Sequence, residues 1–130
     1  PLAARAALHA TDEEIAAMEQ ILKRQADRVR RGEPCIEEDS EFHYAIALAA
    51  HNSIVVKLLD TLMGLLQPTR EKQLQINNRP KSSLAGHLKV LDAIKRRDAE
   101  AAESAMRQHI EQVEAIIQPR KPAARKAAGA

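Results

Sequence analysis

Aromatic residues are almost missing from this sequence, with one Phe, one Tyr and no Trp in 130 residues. Binding single-stranded nucleic acid by base stacking needs several exposed rings on a basic groove, so that class is excluded. Cysteine is equally rare. Cys35 stands alone and forms no internal disulfide, and its place after Pro34 in a predicted loop marks no nucleophile. No apolar run approaches the roughly 20 residues of a membrane span, and the N-terminus has no signal-peptide pattern, which predicts a cytoplasmic protein with no membrane contact. Only 4 Gly and 6 Pro interrupt the chain, and β-branched and aromatic residues are too few for a sheet. What is present is 45% apolar residues, 24 of all residues being Ala, together with abundant Leu, Glu, Lys, Arg and Gln. These are helix formers, and a core so poor in bulk requires closely packed helices. The expected fold is one all-α domain, an antiparallel bundle of about six helices.

The periodicity places those helices. Pro1-Leu2-Ala3-Ala4-Arg5 opens as though inside or just before a helix, without an initiator Met. Thr11-Asp12-Glu13-Glu14 has the form of a capping box and starts a second helix, which Arg31-Gly32-Glu33-Pro34 ends. A third runs from about Glu37 to Ala50. Asn52 suits a left-handed closing residue and Ser53 a cap for the next helix. That fourth helix carries Val55, Leu58, Leu59 and Leu62, meets Pro68, where a kink is expected, and resumes to about Ile76. Asn77-Asn78-Arg79-Pro80 signals a loop. The fifth helix spans about Ser82 to Arg96, and the sixth starts at Asp98 after a tight corner. Residues 1–118 form the folded unit, and 119–130, rich in Pro, Ala, Lys and Arg, read as a disordered basic tail.

Of the five histidines, His9 and His51 sit at predicted helix ends, where an imidazole complements the dipole. His43, His87 and His109 differ, because each lies on the apolar stripe of a different helix. Asp39 precedes His43 by four residues, which puts the two side chains about 40° apart around the helix and about 6 Å along it. His87 lies eleven residues before Asp98 and His109 eleven after, so in an antiparallel hairpin both sit about 16 Å from the corner. The four can therefore converge inside the bundle. Imidazole suits zinc, nickel, copper and iron, and a mixed set with carboxylate excludes few first-row metals, so the residues do not encode the ion; zinc is the expected metal, with nickel, manganese or iron as alternatives. The alternative is a buried polar network in which Asp39 pairs with a histidine.

Three segments carry a resemblance: Asp39-Ser40-Glu41-Phe42-His43, Gly86-His87-Leu88-Lys89-Val90-Leu91-Asp92-Ala93-Ile94 and Ala105-Met106-Arg107-Gln108-His109-Ile110. The chain resembles the effector-binding C-terminal (FCD-type) domain of GntR-type bacterial transcription regulators, FadR subfamily, from Pro1 to about Ile117. The resemblance implies a divalent ion held by Asp39, His43, His87 and His109 at the floor of a cavity. It also implies a small organic acid bound on or near that ion, and a homodimer. Operator DNA would be bound through an N-terminal winged-helix domain absent from this chain, which would also lack the start of the first effector-domain helix. Arg70 is a candidate anion contact.

The expected function is thus ligand sensing and dimerisation in a DNA-binding regulator, not catalysis. A small metal-dependent hydrolase or lyase is the alternative. Against it, no carboxylate is placed as a general base, because helical phase turns Glu41 and Asp92 roughly 140–160° from their neighbouring histidines. Charge gives no further case for nucleic acid. Arg120, Lys121, Arg125 and Lys126 all lie in the tail, which leaves the rest of a chain of net charge +2 at −2. The two aromatics flank His43, with Phe42 on its inward face as a cavity wall and Tyr44 directed elsewhere.

Overall fold

A computed structural model of the chain describes residues 2–58, 60–62, 64 and 79–117, with side chains at all of these except 79, 80 and 114–117. All regular structure among them is helical. Helices α1 (Leu2–His9), α2 (Asp12–Arg30) and α3 (Ile36–Ala49) are followed by a helical stretch, α4, at residues 53–58, 60–62 and 64. Then come α5 (Arg79–Lys95) and α6 (Ala99–Ile117). The kink expected at Pro68, Arg70 and the tail at 119–130 lie outside the described residues.

The alanine-rich composition has a direct packing consequence. Helix α1 buries only Ala3, Ala6 and Ala7, with Ala10 just beyond it, and it packs on α3, α5 and α6. Methyl-sized contacts let these helices approach closely, so a core with little bulk still fills. Its larger members are Met18, Ile21 and Leu22 of α2, Phe42 and Ile46 of α3, and Val90, Leu91 and Ile94 of α5. Each contributes about 1.5–3 kcal/mol through burial.

Helix ends follow the local chemistry, with two corrections. At Thr11 the hydroxyl accepts from the Glu14 N–H (3.1 Å) and the Glu14 carboxylate accepts from the Thr11 N–H (2.9 Å), the reciprocal pair that the sequence predicts. Helix α2 closes through Gly32 at φ 68°, a left-handed conformation without penalty only for glycine. The first correction is at the end of α3. His51, not Asn52, takes the left-handed conformation (φ 56°), and Asn52, not Ser53, caps α4 by accepting from the Val55 N–H at 3.3 Å. Asn serves either role, and the chain uses it one step later. Second, Arg79 and Pro80 belong to the first turn of α5, where a proline's missing N–H has no helical partner to lose.

The α5–α6 corner fixes the register of the two helices. Arg97 adopts φ 57°, and Asp98 caps α6 by accepting from the Ala101 N–H at 3.0 Å. The Arg97 guanidinium donates to the carbonyls of Ala7 and Ala10 at the end of α1. This ties the corner to a third helix.

Candidate metal centre

Asp39 and His43 lie one turn apart on α3, His87 is in the middle of α5, and His109 lies on α6. Their ligand-type atoms fall within 4.8 Å of one another. His87 Nε2 is 3.1 Å from Asp39 Oδ1 and 3.2 Å from His43 Nε2, and His43 Nε2 is 3.8 Å from Asp39 Oδ1. The His109 ring stacks on His43 at a centroid distance of 5.5 Å and lies 4.6 Å from His87. Asp39, His87 and His109 are 4%, 0% and 3% exposed, whereas the His43 side chain is 26% exposed. The group therefore opens to solvent on the His43 side. Phe42, fully buried, backs the cluster with its ring 4.6 Å from that of His87. Arg70 lies outside the described residues.

These four residues suit a divalent cation. Three imidazoles and a carboxylate are standard ligands of first-row metals, whose bonds to N and O are about 2.0–2.2 Å, so donors around one ion stand roughly 3–4 Å apart. The separations among the Asp39, His43 and His87 donors, 3.1–3.8 Å, fall in that range, and His109 brings its donor within 4.8 Å of the others. The same contacts also suit a polar network, since Ser83 Oγ donates to Asp39 Oδ1 at 3.1 Å beside His87.

Three residues around the cluster play parts that their sequence context left open. Gln25, fully buried on α2, has Oε1 2.8 Å from His87 Nδ1. Its Nε2 has no partner, a deficit that costs about 1–3 kcal/mol when buried. Ser83 precedes His87 by four residues, the spacing of Asp39 and His43, and is buried like Asp39 and His87. Gly86 is where α5 lets His109 in. A Cβ there would stand inside van der Waals distance of His109 Nδ1 and 3.1 Å from its Cγ. A glycine in a helix interior sacrifices about 1 kcal/mol, which is the available sequence signal for such a role. A groove of about 170 Å³ between α5 and α6, bordered by Ser82, Lys89 and Gln112, touches His109 alone of the four. It does not approach their shared face.

Glu41 and Asp92, the two carboxylates considered from sequence spacing, are each paired with an arginine. Glu41 is turned outward into a two-point contact with Arg24 (2.5 and 3.3 Å), which raises the Arg24 pKa chiefly through that hydrogen bond. Asp92 accepts from Arg96 on the surface at 3.0 Å. Buried Glu38 accepts from Arg28 Nε at 2.6 Å, pinning α3 to α2 one residue before Asp39. The remaining histidines sit apart. His51 Nε2 lies 2.9 Å from Glu14 Oε1, and its ring stacks on His9 at 6.4 Å. Burial pushes the Glu14 carboxyl up, but hydrogen bonds from Thr11 and His51 hold it below its usual range.

The FCD domain family model matches residues 1–112. The chain belongs to the FCD family. The HTH-type transcriptional repressor NanR of Salmonella newport (strain SL254) is 32% identical over 114 residues, which cover 85% of this chain and 43% of that protein. NanR of Salmonella typhimurium matches over the same extent at the same identity. Among solved structures, Streptococcus agalactiae GntR matches with a TM-score of 0.70 and 27% identity, over 88% of this chain and 51% of that one. The chain thus spans under half the length of the curated relatives it matches. The chain is thus an FCD domain similar to parts of transcription regulators, and none of the matches named above is a hydrolase or lyase.

Proposed function

We propose that this FCD domain senses a small carboxylate, a hydroxy or keto acid, through a divalent ion held by Asp39, His43, His87 and His109. Zinc is the first choice of metal, with nickel, manganese or iron as alternatives. One observation carries the reading: four ligand-type side chains from three helices, three of them almost fully buried, bring their donor atoms within 4.8 Å. A buried carboxylate among imidazoles is costly without compensating charge, and a cation supplies it. The ion also supplies positive charge that draws an anion to the open His43 side. Phe42 walls the site, and Arg70 is the proposed second anion contact. The domain dimerises, and effector binding shifts the relative placement of two bundles and so the affinity of a winged-helix domain for operator DNA. No described helix is long and apolar enough to cross a membrane, and we place the regulator in the cytoplasm.

Elemental analysis of the purified domain, followed by thermal unfolding with added metals and carboxylates, tests this. One ion per chain is expected. A carboxylate at 100 times its Kd should stabilise the metal-loaded domain by about 2.7 kcal/mol, with no product formed. Absence of bound metal, with no thermal shift from zinc, nickel or manganese, would leave the four residues as a buried polar network.

A further inference from the structure

Glu38 is a charged residue in a place that suits an apolar one. It is 2% exposed, and only one of its oxygens is used: Oε1 accepts from Arg28 Nε at 2.6 Å, whereas Oε2 accepts nothing among the described residues. A buried carboxylate left half satisfied is a net cost to folding, and an apolar side chain of the same length is often neutral or stabilising in its place. The helix dipole gives no separate reason to keep it, because Glu37 and Asp39 already put carboxylates on the first turn of α3.

What the ion pair supplies is direction. Helix α3 begins after Cys35, whose side chain makes no capping bond, so the first turn is not closed from its own end. Asp39 lies on that turn, its N–H bonded to the Cys35 carbonyl at 3.0 Å, whereas His43 is one turn further on and His87 and His109 lie inside α5 and α6. Two rungs from α2 hold the turn: Arg28 on Glu38 and Arg24, one turn earlier, on Glu41. Glu38 and Glu41 share one face of α3, and Asp39 and His43 share another about 150° round the helix. Any rotation of α3 about its axis therefore breaks the rungs as it moves the cluster residues. The Arg24–Glu41 rung lies at the surface, where such a pair contributes little. The Arg28–Glu38 rung has its acceptor out of water and its arginine partly in it, so the carboxylate is the constrained partner.

We infer that Glu38 is a positioning residue for Asp39: through Arg28 it fixes the first turn of α3, and so the Asp39 carboxylate, whose Oδ1 lies 3.1 Å from both His87 Nε2 and Ser83 Oγ. The consequence for metal affinity rests on the metal reading above. The hold on Asp39 concerns the chain alone.

Zinc competition, thermal unfolding and the Asp39 side-chain couplings test this together. Glu38→Met should unfold at the wild-type temperature or above it, yet bind zinc roughly tenfold more weakly. Glu38→Gln, which keeps an acceptor for Arg28 Nε, should recover most of that affinity. In the metal-free protein, the three-bond couplings that report the Asp39 χ1 angle should show one rotamer in wild type and averaging in Glu38→Met. A Glu38→Met protein that binds zinc as tightly as wild type, or that loses stability while its Asp39 couplings stay fixed, would overturn the inference. If the wild type binds no zinc, the metal reading fails by itself, and the couplings alone decide the hold on Asp39. Should Glu38→Met not fold, Arg28→Lys takes its place, because lysine keeps the charge but has no Nε–H in that direction. It should weaken zinc binding in the same sense, and unchanged affinity there would equally overturn the inference.

Discussion

The domain holds two histidine clusters, and they differ in almost everything except residue type. At one, His43, His87 and His109 surround Asp39, with three of the four side chains almost out of contact with water. At the other, His9 stacks on His51, which meets Glu14 at the start of α2, with the His51 side chain half exposed. The first cluster draws on α3, α5 and α6 and is backed by Gln25, Ser83 and Phe42. The second closes helix ends: Glu14 completes the α2 cap and His51 turns the chain after α3. Burial and convergence make an imidazole a candidate ligand, whereas an exposed imidazole beside a carboxylate is a fastening. Removing a fastening should lower stability and leave metal affinity alone, while changes at the buried cluster should lower metal affinity.

The sharpest contrast comes from His87→Ala. It should abolish the thermal shift produced by zinc while far-UV circular dichroism stays helical. Loss of helicity would instead place His87 among the residues that hold the fold. Next in size is Gly86→Ala. Alanine gains about 1 kcal/mol over glycine in a helix, but the added methyl displaces the His109 ring, and overpacking costs typically about 1–3 kcal/mol. A net loss of stability and weaker zinc binding are expected together, measured by thermal unfolding and calorimetry.

At the other end, Arg97→Ala removes the guanidinium that ties the α5–α6 corner to the Ala7 and Ala10 carbonyls. Charge-assisted hydrogen bonds of this kind contribute about 1.5–3 kcal/mol, so denaturant unfolding should register a loss of that order while zinc affinity is unchanged. The smallest effect belongs to the α2 cap. Thr11→Ala should cost about 1 kcal/mol. Because Glu14 is held below its ordinary value of 4.5, its contribution is complete above that pH and fades as pH falls through the lower folded value. Glu14→Gln should accordingly flatten the acid limb of the stability curve, and an unaltered limb would remove Glu14 from it.

Features that depend on neighbours in sequence were legible before the structure. The Thr11–Glu14 cap and the four-residue spacing of Asp39 and His43 are local, and the equal offsets of His87 and His109 from Asp98 need only a tight corner. The shift by one residue at His51 and Asn52 was hidden because Asn fits both positions, so only the tertiary path of the chain selects between them. Arg79 and Pro80 read as loop because an Asn-Asn-Arg-Pro run is rich in turn formers, although proline is also at home in a first helical turn. Gln25 and Gly86 were least legible. Each answers to a histidine on another helix, 62 residues away for Gln25 and 23 for Gly86, and a helical stripe gives no sign of which polar or small residue such a partner requires.

The central claim is that Asp39, His43, His87 and His109 ligate one ion together. X-ray absorption at the zinc edge of the loaded domain tests it most directly. The account predicts three imidazole nitrogens and at least one oxygen at roughly 2.0–2.2 Å, with one imidazole fewer in His109→Ala. A wild-type spectrum with fewer than three imidazoles, or one that His109→Ala leaves unchanged, would contradict it.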